Sequence, residues 1–84
     1  MRIRLKLYAM LSDYLPPEAR RTNTLELDEA ADITVASLID RYQLPGKWVH
    51  LVLINGVFVP REERPQRRLK EGDVIAIWPP IAGG

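Results

Sequence analysis

The chain has 84 residues, a formal net charge of +1, and a composition of 46% hydrophobic and 27% charged residues. This length fits one domain with a small core, and the near-zero charge gives no electrostatic argument for nucleic-acid binding. The sequence contains no Cys, which excludes disulfides, thiolate metal sites and a cysteine nucleophile. No apolar run approaches the roughly 20 residues of a membrane span, and the alternating N-terminal residues are unlike a signal-peptide core, so we expect a cytoplasmic protein without membrane attachment.

The first half of the chain predicts a hairpin. In residues 2–8 apolar side chains alternate with polar ones, which is typical of a strand with one buried face. The apolar positions are Ile3, Leu5 and Leu7. Residues 9–15 are compatible with a short helical turn, and Pro16-Pro17 predicts a loop. A second strand over residues 22–27 follows after a brief connection, which favours antiparallel pairing.

The clearest helix signal follows the hairpin. Apolar residues recur at positions i, i+3, i+4 and i+7, which places them on one helix face. These residues are Val35, Leu38, Ile39 and Tyr42. Asp32 or Thr34 can supply the N-cap oxygen, and Leu44-Pro45-Gly46 ends the helix. We expect about ten helical residues crossing one face of a small sheet.

Three further strands are predicted in the second half. Residues 49–54 are almost continuously apolar, and Asn55-Gly56 separates them from the apolar residues 57–59. Asn-Gly between apolar runs is typical of a hairpin with a type I′ turn. A charged loop over residues 60–68 leads through a turn to the last strand, residues 74–78.

The element order is therefore strand, strand, helix, strand, short strand, strand. One helix on one face of a mixed sheet is an α+β roll. This order, with the final strand beside the first, resembles the β-grasp (ubiquitin-like) fold. We expect a β-grasp domain over residues 1–78 and a flexible tail over residues 79–84.

Two polar features are predicted to be structural. A run of basic residues is interrupted by Glu62 and Glu63, which is typical of a solvated loop. The basic residues are Arg61, Arg64, Arg67, Arg68 and Lys70. His50 has no cluster of metal-ligating residues around it in the sequence, which favours a structural or exposed strand histidine over a metal ligand.

The tail combines stiff and small residues. Pro79-Pro80 ends the preceding strand and favours an extended exit, because Pro fixes its own φ and cannot donate to a sheet. Gly83 and Gly84 lack a Cβ and can pass through a narrow channel. An extended tail spans roughly 20 Å at about 3.3 Å per residue. That reach fits delivery of the terminal carboxylate into a partner's active site.

The C-terminal sixteen residues carry a family resemblance. The tail Pro79-Pro80-Ile81-Ala82-Gly83-Gly84 and the preceding residues 69–78 resemble the MoaD/ThiS family of ubiquitin-like sulfur carriers. The Pro-Pro favours the MoaD branch, the small subunit of molybdopterin synthase, over ThiS-type carriers. The N-terminal strand, the central helix and residues 52–56 also fit, so the resemblance spans nearly the whole chain.

The resemblance implies a chemistry that needs no side chain of this protein. The Gly84 carboxylate, preceded by Gly83, would be activated with ATP by an adenylyltransferase related to the ubiquitin-activating enzymes and converted to a thiocarboxylate. In MoaD-like proteins the sulfur is then delivered to precursor Z in the large subunit of molybdopterin synthase. We therefore expect a sulfur-donating subunit that binds no cofactor itself, with ATP used by its activating enzyme.

An aromatic docking surface is predicted beside the tail. Strand alternation points Tyr8 and Trp78 away from the core, and Phe58 lies just past the Asn-Gly turn. Aromatic side chains are frequent interface anchors, although each of these three can equally cap the edge of the core. With the tail residues Pro79, Pro80, Ile81 and Ala82, they form the predicted partner-binding set.

Three alternatives remain open at this point. A carrier can feed another pathway, such as thiamin, cysteine or thiolated tRNA, and a protein modifier can be attached to lysines through Gly84. A plain interaction module with an incidental Gly-Gly end is the third. The pattern is compatible with a Gly84 that is the encoded end and with one exposed by processing.

Overall fold

Five strands form one mixed sheet in the computed structural model, which describes residues 1–80. The strands are β1 (Arg2–Leu7), β2 (Thr24–Asp28), β3 (Leu51–Ile54), β4 (Val57–Phe58) and β5 (Val74–Trp78). The helices are α1 (Pro17–Arg20) and α2 (Val35–Arg41), and 3₁₀ turns cover Ala9–Tyr14, Gly46–Trp48 and Arg61–Glu63.

The strand order is β2-β1-β5-β3-β4. The last strand lies at the centre, parallel to β1 and antiparallel to β3, while the other pairs are antiparallel. Leu7 lies opposite Ile77 on one side of β5, and Leu51 lies opposite Trp78 on the other. The α+β roll, the hairpin and the pairing of the first and last strands are confirmed, and the architecture is the ubiquitin-like β-grasp fold.

The inner face of the sheet and α2 share one core. Alternate residues of the two central strands are buried, which follows from the period of two in their sequences. These residues are Ile3, Leu5, Leu7, Ile75 and Ile77, with exposed fractions of 0–1%. Val35 and Leu38 of α2 are buried in the same cluster. Burial of each such side chain contributes roughly 1.5–3 kcal/mol.

Helix α2 begins as predicted at Thr34 but is shorter than expected. The Thr34 hydroxyl accepts a hydrogen bond from the Ser37 N–H at 3.1 Å, which caps the first turn. The helix ends at Arg41 because Tyr42 leaves helical geometry and Gln43 takes a φ of +56°. A buried Glu29 carboxylate pairs with Arg41 and holds this end against the loop after β2.

The first hairpin differs from its prediction at the two prolines. Pro16-Pro17 was expected to form a loop, but Pro16 is the N-cap and Pro17 the first residue of α1. Pro is compatible with a first helical turn, where its missing N–H has no partner to lose. Strand β2 begins at Thr24 because Asn23 takes a φ of +55°, and the Asn23 side chain donates to the Leu7 carbonyl at 2.9 Å.

The predicted type I′ turn is confirmed at Asn55-Gly56. Their φ angles are +51° and +84°, and positive values at both positions match the twist of the flanking strands. The Asn55 side chain also donates to Asp73 Oδ1 and accepts from the Val74 N–H, each at 2.9 Å. These bonds hold the β3–β4 turn against the start of β5.

Candidate functional site

The end of strand β5 is held from both sides. The Tyr8 N–H donates to the Ile77 carbonyl at 3.2 Å, and the His50 N–H donates to the Trp78 carbonyl at 3.1 Å. We call residues 77–79 the tail root. Because the residue after β1 and the residue before β3 each supply a hydrogen bond at this point, the chain enters its tail from a fixed position.

An aromatic stack covers the tail root. The Tyr8 and Trp78 rings are parallel within 5°, with centroids 4.0 Å apart. Trp78 is 37% exposed and Tyr8 is half-buried, so both side chains lie on the outer face of the sheet, as strand alternation predicts. The stack places a flat apolar surface directly beside the chain's exit.

Phe58 lies on the same face but does not belong to this stack. It is 53% exposed and sits opposite Leu53, which in turn sits opposite Ala76 of β5. Leu51 lies opposite Trp78, so Leu51 and Leu53 bridge the distance between Phe58 and the stack. The outer apolar patch therefore consists of Tyr8, Leu51, Leu53, Phe58, Ala76 and Trp78.

The first two tail residues differ in burial. Pro79 is buried against the domain, whereas Pro80 is exposed. The remaining predicted site residues lie outside the described residues, and their roles stay predictions. These residues are Ile81, Ala82, Gly83 and Gly84.

Arg64 is the residue of this region that sequence reasoning missed. It was assigned to a solvated loop, but it is 6% exposed and donates to the carbonyls of Val49 at 3.4 Å and His50 at 3.1 Å. Its Nε is buried and has no partner among the described residues. Burial lowers the pKa of Arg64, the neighbouring Arg61 lowers it further, and Glu62 opposes the shift.

No sequence signal separates Arg64 from the exposed Arg61 and Arg68 around it. The prediction of a solvated loop holds in part, since most of the charged residues are exposed. Leu69, which follows the loop, is buried in the core. His50 is exposed at its side chain and acts through its backbone. Within residues 1–80, no group of three or more His, Cys, Asp and Glu side chains is arranged to hold a metal ion.

The arrangement is suited to presenting a chain end. A rigid β-strand fixes the tail root, two prolines stiffen the exit, and an apolar patch beside it can take a partner surface. Along the described chain, no helix is long and apolar enough to cross a bilayer.

Comparison with known proteins agrees with this geometry. The family model described as the ThiS family matches residues 14–84. Comparison with curated protein sequences gives no significant match.

Among solved structures, the small archaeal modifier protein 1 from Methanosarcina acetivorans is 28% identical, with 99% of this chain and 96% of that chain covered and a TM-score of 0.61. The thiamine biosynthesis protein ThiS from Geobacter metallireducens is 20% identical, with coverage of 96% and 99% and a TM-score of 0.62. A chain in the complex of subunits 1 and 2 of the molybdopterin-converting factor from Helicobacter pylori is 20% identical, with full coverage of both chains and a TM-score of 0.61.

These structures share the fold and carry different names, so they do not separate one pathway from another. The family match is more specific, because it covers well over half of the chain and extends through the Gly-Gly end. The chain therefore belongs to the ThiS family of ubiquitin-like sulfur carriers.

Proposed function

We propose that this chain is the small subunit of a molybdopterin synthase and carries sulfur as a thiocarboxylate on Gly84. The observation that carries the proposal is the fixed tail root, with its aromatic stack, leading into Pro-Pro and a Gly-Gly end. The Pro-Pro resembles the MoaD branch of the family. A structural neighbour from Helicobacter pylori is part of a two-subunit molybdopterin-converting factor, which supports a large-subunit partner.

The chemistry starts from an unreactive group. A terminal carboxylate has a pKa of about 3.5, so at neutral pH it is an anion and a poor electrophile. In the proposed first step, a Gly84 carboxylate oxygen attacks the α-phosphate of ATP and releases pyrophosphate. A sulfur nucleophile then attacks the carbonyl carbon of the acyl-adenylate and displaces AMP. The activating adenylyltransferase binds the ATP, so the carrier itself needs no cofactor site.

The domain and the tail have separate roles in this proposal. Ordering a free backbone costs about 1–2 kcal/mol per residue, so a tail of several residues opposes its own insertion into a partner. The fixed tail root and the prolines reduce this entropy loss, and the outer apolar patch supplies affinity from surface that is already ordered. The patch would dock on the large subunit while Gly84 delivers sulfur to precursor Z.

Intact mass spectrometry tests the carrier chemistry. The full chain is incubated with its adenylyltransferase, ATP and a sulfide source, beside a matched chain lacking Gly84. Replacement of one oxygen atom by sulfur in the full chain alone is the expected result. An unchanged mass with an enzyme that still consumes ATP in a control reaction would refute the proposal.

A protein modifier is the second candidate, favoured by the 28% identity to the small archaeal modifier protein 1. Both candidates use the same activation of Gly84, so the partner separates them. A molybdopterin synthase subunit forms a complex with a large subunit, and sulfur transfer consumes the thiocarboxylate. A modifier instead forms amide adducts with lysine side chains, which appear as higher-mass species in cell extract.

A further inference from the structure

We propose that Arg64 is the positioning residue of the tail root. Its guanidinium donates to the carbonyls of Val49 and His50, and the N–H of His50 donates to the carbonyl of Trp78. One continuous path of hydrogen bonds therefore runs from Arg64 to the residue that directly precedes Pro79. The expected effect on thiocarboxylate formation rests on the proposed function, whereas the path of hydrogen bonds is a property of the fold.

The position of His50 explains why hydrogen bonds from Arg64 are useful here. His50 lies just before β3, so its bond to Trp78 is at the end of the β3–β5 ladder, where strand pairing is prone to fray. The two terminal nitrogens of the Arg64 guanidinium donate to the Val49 and His50 carbonyls, which flank the peptide nitrogen of His50. A planar guanidinium can bind two neighbouring acceptors at once, which a single ammonium group does less well.

Arg64 is itself anchored at its backbone. Its carbonyl accepts from the Ala36 N–H at 3.1 Å, and the carbonyl of Arg67 accepts from the Val35 N–H at 2.9 Å. These two N–H groups belong to the first turn of α2, where helix donors lack partners within the helix. The loop thus supplies hydrogen-bond acceptors to the first N–H groups of the helix. The same two hydrogen bonds hold the loop that carries the Arg64 guanidinium in place.

Burial of this cation is costly, which argues against an incidental placement. Its 6% exposure removes most of its hydration, and Nε gains no hydrogen bond among the described residues. The exposed Arg61 belongs to the same loop without this burial. What Arg64 gains is the pair of bonds to the chain segment that holds the tail root.

The test measures how strongly the His50 amide is protected from hydrogen exchange in the full chain. Hydrogen exchange followed by NMR compares Arg64→Met with the exposed control Arg61→Met. We expect protection of the His50 N–H to fall at least about tenfold in Arg64→Met, because two charge-assisted hydrogen bonds are lost next to it. Arg64→Lys, which keeps the charge without the fork, should restore protection in part and serves as the working variant if Arg64→Met does not fold.

Thiocarboxylate formation gives the functional readout. With the adenylyltransferase, ATP and sulfide, Arg64→Met should lower kcat about tenfold through misplacement of the tail. Leu27→Ala, in edge strand β2, is the control for a general loss of stability, because Leu27 is buried away from β3.

The outcomes separate the two proposals. His50 protection within twofold of the wild type in Arg64→Met would overturn the positioning role, whatever the enzyme assay shows. Equal losses of kcat in Arg64→Met and Leu27→Ala, measured where both are folded, would also overturn it. If the wild-type chain forms no thiocarboxylate, the proposed function fails, while the hydrogen-exchange comparison still decides the role of Arg64.

Discussion

Replacement of Phe58 by Ala should weaken binding to the large subunit with little effect on the folded domain. Phe58 leaves 53% of its surface exposed, and a phenylalanine buries roughly 200 Å² when fully covered, so about 100 Å² is available to a partner. At about 25 cal/mol per Å² this area is worth about 2.5 kcal/mol, or about 70-fold in Kd. Because interface area converts incompletely into affinity, we expect an increase in Kd of about 10-fold to about 70-fold.

Val57 is the matched control for this experiment. It is 67% exposed in the same short strand, but it lies opposite the buried Ile54, on the face of the sheet that carries the core. Isothermal titration calorimetry against the large subunit should show a Kd near that of the wild type for Val57→Ala. Equal changes in Kd for the two variants, or a change below about threefold for Phe58→Ala, would refute the docking role of the outer apolar patch.

Four further outcomes are expected. Trp78→Ala removes the stack on Tyr8, so urea unfolding should show a loss of about 2 kcal/mol in stability, and Kd for the large subunit should rise more than in Phe58→Ala. Thr34→Ala removes the N-cap acceptor of α2 and should cost about 1 kcal/mol by the same assay; an unchanged midpoint would show that the cap contributes nothing. A peptide of residues 77–84 should bind the large subunit far more weakly than the whole domain, and equal affinity by calorimetry would contradict the role given to the patch. Burial raises the pKa of Tyr42, and Glu29 adds to the shift while Arg41 opposes it, so the folded domain holds this proton more tightly than the unfolded chain. That stability is complete below the ordinary tyrosine pKa of about 10 and is lost as pH rises through the raised value. Tyr42→Phe should therefore lose less stability at alkaline pH than the wild type. Parallel profiles of unfolding free energy against pH for the two proteins would contradict this.

The strands and the helix were predictable because their signals are local. The alternation of Ile3, Leu5 and Leu7 and the Asn55-Gly56 turn each depend on a few neighbouring residues, and the structure confirms both. The helix start at Thr34 was one of two predicted caps. The predicted length of α2 was wrong. The helix ends because Tyr42 and Gln43 leave helical geometry, and the apolar periodicity of the sequence does not indicate this change.

The candidate site was less predictable because it depends on contacts between distant segments. The outward positions of Tyr8 and Trp78 followed from alternation, but their stacking requires β1 and β5 to be neighbours. The burial of Arg64 depends on acceptors at Val49 and His50, which lie 15 and 14 residues earlier in the chain. The charge pattern alone predicts a solvated loop around Arg64, because it contains no information about the carbonyl acceptors at Val49 and His50.

The parallel pairing of β1 with β5 sets the order of events during synthesis. Leu7 cannot pair with Ile77 until β5 has left the ribosome, since the partners are far apart in sequence, and such non-local pairing is slow. Until then the two halves of the sheet lack the strand that lies between them. Residues 79–84 follow β5 directly, so a chain long enough to carry the tail is also long enough to complete the sheet. A partner that binds the outer apolar patch and the tail together therefore requires a chain in which β5 is already paired with β1 and β3.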